Sequence, residues 1–262
     1  MSIAFDRAAG YYDETRGIPP EVEEQAADRV EAAVGPAGRL LEVGVGTGRV
    51  SLPLHRRGRD LVGIDLSGPM LDRYRAKAAA AGLPPPVLLR GDATRLPLRD
   101  GCVDAVLEVH VLHLVPDWER ALAEARRVLA PGGVVLIGRG SSHRGKEGPR
   151  AETLRRFDKV ARELGGGPRA VGTGDDSTKV AGLVALGGTA EPLEPVVWEQ
   201  RETYGEALAA IERRVFSHAW RLPDKIFETA TRRLRAEVEA AHPDLDRPQG
   251  ATHEFTLTAV RF

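Results

Sequence analysis

The stretch Leu40-Leu41-Glu42-Val43-Gly44-Val45-Gly46-Thr47-Gly48-Arg49-Val50 decides how the rest of this sequence is interpreted. It begins as a short apolar strand, Leu40–Val43, and continues into a glycine-rich turn that opens a helix over Thr47–Arg56. Glycine at every second position of the turn leaves out the Cβ atoms where a backbone bends tightly and approaches a ligand. The stretch therefore predicts a nucleotide-like ligand after the first strand of an α/β sheet.

The spacing of these glycines bears on which ligand it is. A dinucleotide fingerprint would place its third glycine at position 49, which is Arg49 here. The observed pattern is G-x-G-x-G, preceded by the acidic Glu42. This departure weakens the case for NAD and favours another nucleotide-like ligand. An NAD(P)-dependent oxidoreductase stays open as the alternative, because Asp65 follows the next strand.

Composition limits the class of protein. The chain has 262 residues, 42% of them hydrophobic and 29% charged, as in ordinary globular proteins. A formal net charge of -1 gives no global field that would attract nucleic acid or an anionic membrane. The single cysteine, Cys102, excludes an internal disulfide and favours a reducing, cytoplasmic location. No apolar run approaches the roughly 20 residues that a membrane span needs, and the N-terminus lacks a signal-peptide pattern.

Strand and helix patterns alternate from Arg39 to Gly138. Apolar runs predict strands at 40–43, 60–65, 87–89, 103–109 and 134–137, and amphipathic segments separate them. Near-continuous apolar strands between helices are typical of a parallel sheet covered on both faces. The fold class predicted is a doubly wound, Rossmann-like, mostly parallel α/β sheet with an N-terminal helical segment and a helical lid insertion.

The pattern changes after Gly138 and suggests three regions. Residues 1–140 are expected to form the ligand-binding core with an N-terminal cap. Residues 141–190 show helices but no obvious strand, and we expect a lid over the substrate. Residues 191–262 are expected to complete the sheet and the substrate pocket, with strands at 196–203 and 254–262 and a helix at 224–241.

Several polar side chains follow the predicted strands. Asp65 ends the second strand, Asp92 follows the third, and Glu108, His110 and His113 close or follow the fourth. In an open parallel sheet, ligands bind beyond the carboxyl ends of the strands. A carboxylate at Asp65 can accept hydrogen bonds from both hydroxyls of a ribose. Each acidic residue alone could be a turn former, but their placement after successive strands favours a binding site.

Four motifs together carry a resemblance to a known family. The motifs are Glu42-Val-Gly-Val-Gly-Thr-Gly48, Gly63-Ile-Asp65-Leu-Ser-Gly-Pro-Met70-Leu71, Gly91-Asp92-Ala93 and Arg127-Val-Leu-Ala-Pro131-Gly-Gly133. With them the chain resembles the class I S-adenosylmethionine-dependent methyltransferases, and within them it is most similar to the small-molecule branch that includes ubiquinone and menaquinone biosynthesis enzymes. The resemblance covers roughly residues 5–138, and the start of the chain, Phe5–Asp13, is also similar.

The resemblance implies S-adenosylmethionine as the cofactor and assigns residues to it. Asp65 would bind the ribose, Met70 would flank the adenine, and Asp92 with Ala93 would meet the adenine amino edge. Arg16 is also suited to the methionine carboxylate because of its guanidinium. The full predicted set is Tyr11, Tyr12, Arg16, Glu42, Gly44, Gly46, Gly48, Asp65, Leu66, Met70, Asp92, Ala93 and Val109.

Methyl transfer from a sulfonium is an in-line displacement, so the protein must mainly align acceptor, methyl and sulfur. A general base is needed only where the acceptor loses a proton. His110 is the candidate for a base or a substrate orienter, and His113 is the second candidate.

The acceptor is expected to be a small molecule rather than nucleic acid. No metal is expected, since His110-x-x-His113 has no third ligand nearby. A monomer or a homodimer is expected. A protein that binds S-adenosylmethionine without catalysis remains a second alternative.

Overall fold

The computed structural model describes residues 2–16, 18–36, 38–141, 148–166 and 171–262, without the side chains of Arg16 and Ser141. The chain divides into two compact units, of which the first comprises residues 1–140, 171–196 and 255–262, and the second residues 141–170 and 197–254. In chain order the elements are the 3-10 helix Asp6–Ala8, α1 Tyr12–Arg16, α2 Pro20–Val34, β1 Leu40–Val43, α3 Ser51–Arg56, β2 Leu61–Asp65, α4 Gly68–Ala80, β3 Val87–Arg90, β4 Val103–Val109, the 3-10 helix Leu112–Leu114, α5 Trp118–Val128, β5 Leu129–Ser141, α6 Pro149–Glu163, α7 Asp176–Ala185, β6 Thr189–Pro192, β7 Val196–Glu202, α8 Tyr204–Glu212, the 3-10 helix Ser217–Arg221, α9 Asp224–Ala241 and β8 Gln249–Arg261.

The sheet of the first unit has the strand order β3-β2-β1-β4-β5-β8-β6. The pairs β1·β2, β1·β4, β2·β3 and β4·β5 are parallel, and β6·β8 is antiparallel. The predicted doubly wound, mostly parallel α/β fold is confirmed. The strand order reverses between β1 and β4, so a crevice is expected beyond the carboxyl ends of these two strands.

Hydrophobic clusters anchor helices to this sheet. One cluster joins strand residues such as Val43 and Ile137 to Leu122 of α5 and Leu183 of α7. A second cluster joins Val45, just after β1, to side chains of α3 and α4, namely Leu52, Leu71, Tyr74 and Ala78. All four residues of β1 are buried. The glycine turn therefore leaves the sheet from its most enclosed strand.

Two helices of the first unit begin at a residue whose side chain caps the first turn. Ser67 Oγ accepts a hydrogen bond from the Met70 amide at 3.3 Å, and Asp117 Oδ1 accepts one from the Arg120 amide at 3.3 Å. A side-chain oxygen at this position satisfies an amide that has no partner within the helix. Ser67 thereby starts α4 directly after β2, which fixes the position of Asp65.

Other boundaries differ from the sequence-based expectation. The helix expected over Thr47–Arg56 begins only at Ser51, because the preceding residues form turns in which the Gly48 amide donates to the Val45 carbonyl at 2.9 Å. Strand β8 starts at Gln249, five residues earlier than expected. The sequence analysis did not identify α8, or β6, whose four residues are all exposed.

The second unit is built mainly from α6, α8 and α9. Phe157 of α6 packs edge-on against Phe227 of α9, with ring centroids 5.9 Å apart. Tyr204 Oη donates to Glu152 Oε2 at 2.6 Å, which joins α8 to α6. In the same unit β7 pairs with β8, and the buried Glu202 of β7 accepts a hydrogen bond from the Arg150 amide at 3.0 Å. This carboxylate fixes the first turn of α6.

The segment expected to be a lid, residues 141–190, is divided between the units at residue 170. Its parts 142–147 and 167–170 lie outside the described residues. Its role as a substrate cover stays a prediction. Among the described residues, no helix is both long and apolar enough to cross a membrane.

Candidate functional site

The glycine turn after β1 folds back onto the neighbouring strand. The amides of Gly44 and Val45 both donate to the Ile64 carbonyl, at 2.7 and 3.0 Å. Gly44, Gly46 and Gly48 all adopt positive φ, at 72°, 55° and 77°. Residues with a side chain rarely adopt this region, so the alternating glycines are what allow the turn.

Two of these glycines also make room for neighbouring side chains. A Cβ at Gly44 would lie 2.6 Å from Val111 Cγ2, and one at Gly48 would lie 2.6 Å from Tyr74 Cδ2. Both distances are well inside van der Waals contact. At Gly46 a Cβ would come no closer than 3.5 Å, to Met70 Cε. Gly44 and Gly48 are thus needed for packing as well as for conformation.

Asp65 fastens this turn from the end of β2. Its Oδ2 accepts the Gly46 amide at 2.9 Å, and its Oδ1 accepts the Ser67 amide at 2.8 Å. Burial raises the pKa of Asp65 above its usual value, and the hydrogen bonds from the Ser67, Gly46 and Leu66 amides oppose that rise. Each oxygen of a carboxylate has more than one lone pair, so Asp65 can accept further hydrogen bonds from a ligand.

Glu42 lies behind the turn and is buried. Its Oε2 accepts a hydrogen bond from Ser51 Oγ at the start of α3. Burial raises the pKa of the Glu42 carboxyl to about 8, although the hydrogen bond from Ser51 and the charge of Arg49 act in the opposite direction. A cationic ligand group placed beside Glu42 would favour its ionised form.

The turn borders a cleft that combines an acidic and a basic side chain. Its only cation among the described lining residues is Arg49, and Glu42 supplies a carboxyl group. Val45, Val50 and Val109 give the cleft apolar walls. The complete lining is Tyr12, Glu42, Gly44, Val45, Gly46, Thr47, Arg49, Val50 and Val109.

Of the N-terminal residues predicted to bind the cofactor, Tyr12 is the one placed in the described cleft lining. Tyr12 lines it, and its ring lies edge-on to Phe5 with centroids 6.0 Å apart. The Tyr11 hydroxyl is buried and has no hydrogen-bond partner among the described residues. Arg16 ends α1, and the prediction for its side chain lies outside the described part of the structure.

The residues expected around the adenine lie nearby but do not line this cleft. Met70 is buried beside Gly46, and Leu66 follows Asp65 directly. Asp92 Oδ1 accepts bonds from the Thr94 amide and hydroxyl, at 3.0 and 2.9 Å, as a turn-forming carboxylate would. Ala93 beside it is buried.

The end of β4 carries the predicted catalytic candidates. His110 has a positive φ of 55°, and its Nε2 contacts the Gly140 carbonyl oxygen. A carbonyl can only accept, so Nε2 carries the proton and the lone pair of a neutral imidazole lies on Nδ1. The His113 ring lies edge-on to it, with centroids 6.4 Å apart. Val109, the last residue of β4, lines the described cleft, whereas His110 and His113 do not.

Glu108, which the sequence placed at the end of the fourth strand, is a buried carboxyl group. Neither of its oxygens has a hydrogen-bond partner among the described residues. Burial raises its pKa to about 8, against the positive charge of Lys179. Lys179 is itself buried and pairs with Asp176 at 2.6 Å.

Sequence reasoning missed four residues of the cleft lining. They are Val45, Thr47, Arg49 and Val50, of which Arg49 had been considered only as a departure from the dinucleotide pattern. Their position within the glycine turn was the available signal. Within the described ranges, no group of three or more His, Cys, Asp or Glu side chains could hold a metal ion.

Comparison with known proteins identifies the central part of the chain. Residues 41–137 match the family described as a methyltransferase domain. This part of the chain is similar to a methyltransferase domain. The resemblance seen in the sequence is confirmed there.

Curated relatives agree with this match, and a solved structure shares the fold. An uncharacterised methyltransferase of Mycobacterium tuberculosis is 42% identical over 134 residues, which cover 51% of this chain and 50% of the relative. Demethylmenaquinone methyltransferase of Thermus thermophilus is 43% identical over 101 residues, 38% of this chain and 46% of the relative. The YcgJ protein of Bacillus subtilis has the same fold, with a TM-score of 0.57 at 18% identity, over 90% of this chain and 97% of that one.

The chain spans about half the length of the curated relatives it matches. The matched residues include the glycine turn, Asp65, Asp92, His110 and His113. It does not include Tyr11, Tyr12 or Arg16. The placement of Tyr12 at the cleft thus comes from the structure alone.

Proposed function

We propose that this chain transfers a methyl group from S-adenosylmethionine to a small-molecule acceptor. The observation that carries the proposal is the cleft beside the glycine turn, where the carboxyl group of Glu42 and the guanidinium of Arg49 lie within the part of the chain that matches a methyltransferase domain. The methionine part of the cofactor has an ammonium and a carboxylate. A carboxyl group and a guanidinium on one cleft match these two charges.

Residues around the glycine turn fit the other parts of the cofactor. The Asp65 carboxylate, fixed by two amides, is suited to accept hydrogen bonds from both ribose hydroxyls. Met70, next to Gly46, offers an apolar surface for the adenine. Val109 and Val50 supply apolar walls that exclude water. Within this proposal, Asp92 and Ala93 face the amino edge of the base.

When bound, the cofactor supplies an electrophilic methyl group on a positively charged sulfur. The protein's part is to hold donor and acceptor in line and to exclude water, because the leaving thioether needs no proton. Tyr12 and Val109, which line the cleft, would restrict the position of the reacting centre.

His110 is proposed to orient the acceptor or to take its proton. The contact with the Gly140 carbonyl fixes the ring and leaves the lone pair of a neutral imidazole on Nδ1. This atom is the one proposed to receive the proton of a hydroxyl or amine acceptor. His113, packed edge-on to His110, is proposed to support the ring position.

A small molecule is the proposed acceptor because the net charge of -1 provides no general attraction for nucleic acid. The single cysteine supports a location in the reducing cytosol. The protein is proposed to act there as a monomer or a homodimer.

Isothermal titration calorimetry with S-adenosylhomocysteine, S-adenosylmethionine and NAD tests the proposal. We expect binding of the first two and none of NAD. Binding of NAD alone would favour the oxidoreductase alternative. Transfer of a labelled methyl group to a panel of hydroxyl, amine and carbon acceptors then tests catalysis. Cofactor binding without transfer to any acceptor would favour the non-catalytic alternative.

A further inference from the structure

Hydrogen bonds join the first residues of the N-terminal segment, residues 2–16, to the strand ends of the first unit. The Ile3 amide donates to the Leu114 carbonyl at 3.1 Å, and Ser2 Oγ donates to Asp92 Oδ1 at 3.2 Å. These two acceptors follow β4 and β3. The segment therefore starts at the edge of the sheet where the strands end.

Helix α4 holds the middle of the segment. Arg73 donates from Nε to the Ala9 carbonyl at 2.9 Å and from Nη2 to the Gly10 carbonyl at 2.8 Å. Lys77 lies four residues further on α4, on the same face of the helix. Its Nζ is 3.2 Å from Asp13 Oδ1. Two cations of one helix thus face the chain on either side of Tyr11 and Tyr12.

Asp13 also reaches the glycine turn. Thr47 Oγ1 donates to the same oxygen, Asp13 Oδ1, at 2.5 Å. Thr47 is buried between Gly46 and Gly48 and lines the cleft. Tyr12, the residue before Asp13, lines the same cleft. Asp13 therefore ties the segment that carries Tyr12 to the turn that faces it.

The two contacts to Asp13 are weak enough to break and form again reversibly. The side chains of Lys77 and Asp13 are 31% and 41% exposed, so solvent screens their attraction. The hydroxyl of Thr47 adds one charge-assisted hydrogen bond in a drier position. The two bonds to Asp13 join α1 to the glycine turn and to α4, and neither bond belongs to the sheet.

We propose that Asp13, Thr47 and Lys77 are positioning residues that hold Tyr12 across the cleft, and that their release sets the rate at which the used cofactor leaves. The inference rests on the proposed function, because it takes S-adenosylhomocysteine as the molecule that leaves. In the closed arrangement Tyr12 covers the cleft. Loss of the contacts to Asp13 frees α1 and uncovers it.

The test measures the dissociation rate of tritiated S-adenosylhomocysteine in an excess of unlabelled ligand. Asp13→Ala removes both contacts, and we expect the rate to rise about tenfold; Lys77→Met removes only the ion pair, for which about threefold is expected. The double variant should be no faster than Asp13→Ala, because the two residues share one contact. The matched control is Asp72→Asn, which breaks the exposed Asp72–Arg75 pair on the same helix and should leave the rate unchanged.

A second measurement separates positioning from general stabilisation. Raising the salt concentration should speed dissociation from the wild type but much less from Lys77→Met, since only the ion pair is screened. Thr47→Ser should restore the wild-type rate that Thr47→Val loses. A wild-type rate in Asp13→Ala would overturn the proposal, whether or not dissociation is faster in Thr47→Val. If the wild type binds no S-adenosylhomocysteine, the proposed function fails instead.

Discussion

The Asp65 carboxylate accepts a hydrogen bond from the Gly46 amide at 2.9 Å, so the end of β2 fixes the turn that follows β1. A second bond, from the Ser67 amide, holds the same carboxylate to the start of α4. One side chain therefore links the glycine turn to the start of α4.

Asp65→Ala should weaken cofactor binding by about 1.5–3 kcal/mol, the range of hydrogen bonds to charged groups. Calorimetric titration with S-adenosylhomocysteine measures it. Asp60→Ala is the control, because Asp60 lies just before β2 and pairs with Arg39 on the surface. An unchanged dissociation constant in a folded Asp65→Ala variant would remove Asp65 from the site.

Arg49→Met tests whether Arg49 binds the carboxylate of the cofactor's methionine part. Affinity for S-adenosylhomocysteine should fall by about 1.5–3 kcal/mol, again the range for charged hydrogen bonds. Affinity for 5′-methylthioadenosine, which lacks the amino-acid part, should be unchanged. Equal losses for both ligands would show that Arg49 shapes the cleft without binding a carboxylate. Arg56→Met, on the exposed side of α3, is the matched control.

Gly48→Ala should destabilise the fold by more than Gly58→Ala. Both residues have nearly the same φ, 77° and 75°, but no described atom lies within 4 Å of a Cβ at Gly58. The cost at Gly58 is therefore the backbone strain of roughly 1–2 kcal/mol. At Gly48 the contact with Tyr74 adds about 1–3 kcal/mol of overpacking. Urea unfolding measures both, and equal losses would contradict the contact.

The raised pKa values of Glu42 and Glu108 make the ligand-free protein less stable as pH rises. Each carboxyl keeps its proton in the folded state up to about pH 8, whereas the unfolded carboxyl loses it near 4.5. The folded state then binds more protons between these values, so its stability falls by up to about 1.4 kcal/mol per pH unit for each group. The stabilisation is complete below pH 4.5 and is lost above pH 8.

Glu108→Gln removes one of these titrations without touching the described cleft. The free energy of unfolding of this variant should decline less steeply between pH 5 and pH 8 than that of the wild type. Denaturant unfolding at both values measures the difference. Parallel declines would mean that Glu108 is already ionised in the folded protein.

His110→Asn should lower the turnover number by about a hundredfold or more where the acceptor gives up a proton. Asparagine tolerates the positive φ of this position, so the fold should survive. Cofactor affinity should stay unchanged. A role as base predicts loss of the rise in rate with pH, whereas a role in orientation predicts a lower rate at every pH. His113→Asn provides the comparison.

Much of the first unit could be predicted because its signals are local. The apolar runs of β1, β2 and β4 and the caps Ser67 and Asp117 are short patterns with one physical meaning each. The exposed strand β6 was missed, since its bonds to β8 come from residues about 70 positions away. Exposed strands without alternation give little sequence signal.

The sequence by itself determined the doubly wound α/β core, the glycine turn and the acidic residues at the strand ends, because periodicity and glycine chemistry act over a few residues. Only the tertiary structure decided which of these groups meet. It joined Asp65 to Gly46, turned Arg49 toward the cleft, and tied Asp13 to Thr47, which lies 34 positions further along the chain. Such contacts depend on how strands and helices pack, and no local pattern of residues encodes their distance.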